Sequence, residues 1–150
     1  MVYAVRVEEQ PAVRLAVVRH RVSAAELAQV VPESCGLVWQ AVKAQQTEAG
    51  RHVSLYLDDA IHVEIGVEIL GLFVDDEDVV CSATPGGLVA ATAHLGPYGT
   101  LGAAHDAIHQ WCATHGHRLA GPRWEIYEHW RPEWDADPSQ IRTDICYLLA

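Results

Sequence analysis

The chain has 150 residues, half of them hydrophobic, and 20 acidic against 10 basic side chains give a formal net charge of −10. That length suffices for one compact domain burying roughly two thirds of its unfolded surface, so residues 1–150 are expected to form a single unit. No run approaches the roughly 20 apolar residues of a membrane span, and an acidic field repels phosphate, so membrane and direct nucleic-acid partners are both argued against.

The charge is unevenly spread. Between Arg51 and Arg118 there is no Lys or Arg, while Asp58, Asp59, Glu64, Glu68, the run Asp75 to Asp78, and Asp106 all fall there. Cationic ligands or basic protein surfaces suit such a field; Asp75 to Asp78 taken alone reads first as a solvated loop. Cys35, Cys81, Cys112 and Cys146 form no CxxC, and the N-terminus carries no apolar run of the signal-peptide kind. They are read as reduced, mostly buried thiols of a cytoplasmic protein.

In chain order, Pro11 to Arg21 is rich in Val and Leu and predicts a strand. A helix follows, with Pro32-Glu33-Ser34 near its start, an apolar stripe of Leu37, Val38, Ala41 and Val42, and Gly50 as its stop. HVSLYLDD and IHVEIGVEIL alternate as a strand pair around Asp58-Asp59-Ala60. Gly87 to His94 is a further strand and LGPYG a turn, with Pro85-Gly86-Gly87 before them read as another turn. Thr100 to Thr114 is a helix with Leu101, Ala104, Ile108, Trp111 and Cys112 at core spacing and Gly116 as its cap. RWEIYEHW and RTDICYLL close the chain as a strand pair joined by the loop RPEWDADPSQ.

The second half replays the first. Trp39 and Trp111 both lie in helices, Gly50 and Gly121 precede the third elements, and HVEIGVE parallels RTDICYL, which aligns Glu64 with Asp144. The expected fold class is α+β: tandem β-α-β-β repeats, one at about 1–75 and the other at about 85–150. Neither hairpin is stable alone, so the repeats should join into one curved antiparallel sheet with both helices on one face. The other face, or the seam between repeats, is then free to form a cleft, where side chains of both halves converge.

RWEIYEHW raises the functional question. As a strand it places Trp124, Ile126 and Glu128 on one face and Glu125, Tyr127 and His129 on the other. Either this is a solvated face, or it is the floor of a pocket that takes something cationic, flat or reactive.

AHLGPYGTLGAAHDAIHQWCATHG, then GPRWEIYEHW and DPSQIRTDICYLL, resemble in order the strand, Gly-Pro-Tyr turn, helix, Glu-x-Tyr strand and final strand of a known family. This is the GyrI-like domain, the effector-binding domain of multidrug-sensing bacterial transcription activators, and the likeness covers nearly the whole chain. It implies a duplicated β-α-β-β module with a ligand cleft between the copies. In drug-sensing members a cleft glutamate flanked by aromatics receives lipophilic cations; the matching positions here are Glu125 and, two residues on, Tyr127.

Members attached to activators carry an N-terminal helical DNA-binding region, whereas here a strand is expected within the first residues, so this chain is not expected to read DNA itself. Members acting alone include drug binders, an inhibitor of DNA gyrase, and hydrolases that open cyclopropane rings of DNA-alkylating natural products. The resemblance therefore implies a stand-alone binder of lipophilic, cationic or planar aromatic molecules, serving drug or toxin resistance. Its alternatives are a hydrolase with Glu125 activating water and Tyr127 orienting the leaving oxygen, or an interaction module. A separate transcription regulator and gyrase are the protein partners it implies; oligomeric state stays open, and no cofactor is expected.

Each candidate has a plainer role beside the functional one. Glu125, expected to be flanked by Trp124 and Tyr127, would attract a delocalised cation in a cleft with little water, with aromatic walls adding cation–π contact. Desolvation there would raise its pKa toward general acid or base work; its alternative is solvent, or pairing with Arg123 or Arg142. Tyr98 either aims at the seam or packs over the helix start. Tyr56 and Trp39 are the first-half counterparts for the opposite wall, Trp39 reading more readily as core. Trp130 and Trp134, around Arg131-Pro132, form a flap or cover the sheet edge. His105 and His109 share a helix face, but no HExxH or CxxC accompanies them, so no metal is expected; His115 and His117 suit helix C-terminal carbonyls. Neither a GxSxG nucleophile elbow nor a P-loop is present.

Overall fold

A computed structural model describes residues 3–58 and 62–150. Eight strands form one antiparallel sheet in the order β1-β6-β8-β7-β3-β4-β2-β5. They are β1 (Arg6–Gln10), β2 (Arg14–Arg21), β3 (Ala49–Tyr56), β4 (His62–Ile69), β5 (Val80–Ala83), β6 (Gly87–Leu95), β7 (Leu119–Tyr127) and β8 (Arg142–Leu149). The helices are α1 (Ala24–Ala44), α2 (Leu101–His115) and the short α3 (Glu133–Ala136). No helix among the described residues is long and apolar enough to cross a membrane.

The sheet is symmetric about the β3–β7 pair. On one side β2-α1-β3-β4 lies in the order β3-β4-β2; on the other β6-α2-β7-β8 lies in the order β7-β8-β6. This is the tandem β-α-β-β arrangement, with the seam at the register Ser54↔Glu125 and Tyr56↔Arg123. β1, in line with the strand expected within the first residues, and β5, which lies outside the expected elements, extend it by exchange. β1 precedes the first repeat but pairs with β6 of the second, and β5 pairs with β2 of the first.

Both helices cover one face. Val38, Ala41 and Val42 of α1 pack on Ala16, Val18, Val67 and Ile69; Leu101, Ala104, Ile108 and Cys112 of α2 pack on Ala90, Ile145 and Tyr147. On the opposite face no helix residue among the described ones enters the buried cluster, in which Leu15 and Val17 of β2 join Val89 and Ala91 of β6 and Trp124. β2 and β6 stand on opposite sides of the seam, so only a strongly coiled sheet brings them together. Pairing alternation puts Trp124 and Ile126 in that cluster and Glu125 and Tyr127 under the helices.

Several local expectations are corrected. α1 begins after Ser23, where Ser23 and Glu26 form a capping box, and Pro32 sits inside the helix. Ala-, Leu- and Glu-containing turns on its N-terminal side carry the helix through that position, and Ser34 Oγ returns a bond to the Val30 carbonyl at 2.6 Å. The helix ends at Ala44 rather than at Gly50, which lies in β3. A Cβ at Gly50 would come within 2.8 Å of Glu68 Oε1, the oxygen that accepts the Arg51 amide at 2.8 Å. Gly50 and Gly121 both fall at bulges, between Ala49 and His52 in β3 and between Leu119 and Arg123 in β7. The loop RPEWDADPSQ holds α3 and buries Trp134. Of the turn Asp58-Asp59-Ala60, only Asp58 lies within the described residues. Gly116 caps α2 with φ 73°, as its position suggests.

Candidate functional site

Four residues beyond the bulge glycines, Ser54 and Glu125 face each other across the seam, and two further on stand Tyr56 and Tyr127. All point to the helix face, in the groove between α1 and α2. Glu125 is 7% exposed. Its Oε1 accepts from Tyr127 Oη at 2.6 Å and from Tyr56 Oη at 3.4 Å, and its Oε2 lies 2.7 Å from His105 Nε2 on α2. His105 Nδ1 in turn meets Tyr147 Oη at 2.7 Å, and Ser54 Oγ is 3.1 Å from the Tyr127 phenol oxygen.

The electrostatic outcome corrects the expectation of a raised carboxyl pKa. Burial pushes Glu125 upward and is the largest single influence, but the hydrogen bonds from His105 and Tyr127, with the His105 charge and Tyr56, outweigh it. The carboxyl is held below its ordinary range and is ionised at neutral pH. Burial, reinforced by the Glu125 charge, pushes Tyr56 and Tyr127 well above the usual phenol range, so both remain donors. His52, also on this face, is lowered by burial and then by His129, and its Nδ1 is buried without a partner among the described residues.

Two cavities open along the groove. The larger, about 610 Å³, is lined by Val31 and Cys35 of α1, Tyr98 and Leu101 at the start of α2, Ile65, Tyr127, His52 and Trp130. The smaller, about 380 Å³, is lined by Tyr56, Arg123, Glu125, Tyr147 and, from α2, Gly102, His105, Asp106 and His109. Tyr98 meets Tyr127 edge-on, with ring centroids 5.7 Å apart. Trp130 stands against Trp134 at 5.4 Å and donates to Asp135 at 3.2 Å, so it borders the larger cavity from the α3 loop.

The structure thus brings Glu125, Tyr127, Tyr98, Tyr56 and Trp130 to one groove. Trp39 is half exposed on α1 and lines neither cavity. Trp124, expected beside Glu125, is buried on the opposite sheet face because adjacent strand residues alternate. Arg142 is engaged with Asp144 at 3.0 Å, and Arg123 sits over the Tyr56 ring at 4.9 Å. His105 and His109 share a helix face: both border the smaller cavity and both meet the Tyr147 ring edge-on, at 5.6 and 5.0 Å, but His105 also bonds Glu125, and no group of three or more possible metal ligands occurs among the described residues. Ser54, Tyr147 and His52 escaped the sequence reading. Alternation in HVSLYL puts His52, Ser54 and Tyr56 on one face, but only the cross-seam register sets Ser54 opposite Glu125.

A family model described as the GyrI-like small molecule binding domain matches residues 3–149. Among curated proteins no sequence matches. Several solved structures share the fold. The C-terminal domain of EcmrR superposes with a TM-score of 0.81 at 18% identity, over 100% of this chain and 99% of that one. SAV2435 bound to tetraphenylphosphonium gives 0.63 at 13% identity, over 100% and 94%. A hydrolase from Listeria innocua gives 0.61 at 13% identity, over 97% and 91%. With the family's model spanning the duplicated sheet and both walls of the groove, the chain belongs to the GyrI-like small molecule binding domain family.

Proposed function

We propose that this protein binds lipophilic small molecules, cationic or planar and aromatic, in the groove at the repeat seam. The observation that carries the reading is an ionised, buried Glu125 behind an aromatic-walled cavity of about 610 Å³. A cation entering such a cavity loses its water, and a nearby carboxylate and ring faces compensate where the local dielectric is low. The volume suits a drug-sized guest. That a protein of this fold is seen with tetraphenylphosphonium bound supports the class of guest. Four free cysteines fit action in the cytoplasm, and binding guests of this class would serve resistance to a drug or toxin.

Titration calorimetry or Trp quenching with tetraphenylphosphonium and a planar aromatic cation tests this. Glu125→Gln should weaken both by about tenfold, roughly 1.4 kcal/mol, and leave a neutral aromatic of the same shape unaffected. Equal cation affinities in the two proteins would remove Glu125 from the account.

A second reading is hydrolysis of a strained, electrophilic ring, favoured by the Glu125–His105 pair bordering the smaller cavity and by hydrolases among proteins of this fold. An ionised Glu125 fits the role of base rather than acid. Product formation with a cyclopropane-containing substrate, abolished in Glu125→Gln while binding persists, is the outcome it requires; binding without turnover removes it.

A further inference from the structure

The charge of Glu125 and the apolar cavity are not in the same compartment. Glu125 borders the smaller cavity, and Tyr127, with its phenol proton on Oε1, stands between the carboxylate and the larger one. Glu128 also borders the larger cavity, but its carboxylate reaches Arg51 at 3.5 Å, a guanidinium that also binds Glu68 and Asp144. The larger compartment therefore offers rings and aliphatic walls. The smaller offers two carboxylates, Glu125 and the exposed Asp106, against one guanidinium, Arg123, which is stacked over Tyr56.

The two compartments are neighbours along α2: Leu101 lines the larger and Gly102, the next residue, lines the smaller. A Cβ at Gly102 would meet nothing within 4 Å, so this exposed residue leaves open space on the α2 side of the smaller cavity, one residue from the larger cavity's Leu101. Along β7 the distance from Tyr127 to Glu125 is two residues, about 7 Å at the strand rise.

From this geometry, and resting on the small-molecule reading above, we propose that the groove selects elongated amphiphilic amines. The aromatic or lipophilic body occupies the larger cavity. A spacer of about 7 Å passes Gly102. The terminal protonated amine lies in the smaller cavity, between Glu125 and Asp106, with His105 and His109 of α2, Tyr56 of β3, Arg123 of β7 and Tyr147 of β8 around it. Compact cations, whose charge is wrapped in apolar surface, keep that charge in the larger cavity, where Glu125 attracts it through the low-dielectric interior behind Tyr127 but neither carboxylate makes contact.

The test is a calorimetric series in which one naphthyl body carries an ammonium group on alkyl spacers of increasing length, with tetraphenylphosphonium as the compact comparator. Wild type, Asp106→Asn and Gly102→Leu are compared. Affinity should rise about tenfold as the spacer reaches about 7 Å. Both variants should abolish that rise, one by removing charge and the other by filling the passage, while leaving the short-spacer amine and tetraphenylphosphonium unchanged. Asp106 and Gly102 are exposed on α2, so both variants are expected to fold, which circular dichroism checks. Affinity flat with spacer length, or unchanged in both variants, overturns the two-compartment proposal while Glu125-dependent binding of tetraphenylphosphonium leaves the broader reading intact. Failure of every probe to bind overturns both.

Discussion

Glu125 carries opposed forces within one side chain. Its burial alone would favour the neutral acid, yet three donors fix it as an anion. Because the folded pKa lies below the ordinary 4.5, ionised Glu125 contributes stability that is fully present above the unfolded value and is lost as pH falls through the folded one. The melting temperature should therefore hold near neutrality and drop in a window at and below about pH 4.5. In Glu125→Gln that acid-side drop should shrink, measured by calorimetry across pH; identical slopes would show that other carboxylates govern acid unfolding. The pairing of Glu125 with Tyr127 follows from the two-residue strand period in RWEIYEHW. Its pairing with His105, twenty residues back along the chain, follows only from the packing of α2 over β7 and β8. That is why the sequence shows of His105 only that it shares a helix face with His109, while the fold makes it a carboxylate partner.

At the scale of elements, glycines set how closely strands approach. Gly66 in β4 lies between Val17 of β2 and Val53 of β3, and a Cβ there would stand 1.8 Å from the Ala16 carbonyl oxygen. Gly66→Ala must push β2 away or break its pairing, and should cost about 3 kcal/mol or more, read from urea unfolding midpoints. A loss below about 0.5 kcal/mol, the range of ordinary surface changes, would mean that β2 shifts freely. The helix α2 and its Gly116 cap are legible in the sequence because apolar spacing and an αL glycine are local signals. The start of α1 was legible too, in Ser23-Ala-Ala-Glu26, but Pro32 is the louder local signal and drew the boundary inward. β1 and β5 carry little apolar alternation, since both lie at the sheet's edges with one side to solvent.

For the whole molecule, the exchange of β1 and β5 makes each half depend on the other. Residues 1–75 lack β5, the edge that covers β2, and 76–150 lack β1, which covers β6. Arg51 of β3 also bridges to Glu128 and to Asp144 of β8 across the seam, both at 3.5 Å. Expressed separately, the halves should be largely unfolded by circular dichroism, and mixing them should restore a complex with native-like Trp fluorescence. Two independently folded halves would show that the exchange is dispensable. The groove belongs to this scale as well: its walls come from α1 and α2, its floor from β3 and β7, and neither half encloses a cavity like the larger one alone.

Local chemistry and periodicity in the sequence were enough to specify the doubled β-α-β-β order, the face that Glu125 and Tyr127 share, and the Gly-Pro-Tyr entry to α2. These depend on spacings of a few residues, which the chain writes directly. Which strand meets which across the seam, that Trp124 turns away from the groove, that His105 and two phenols hold Glu125 ionised, and that the groove divides into apolar and acidic compartments were decided by tertiary structure. Such relations join residues tens of positions apart, through a register that the burial of both sheet faces selects together.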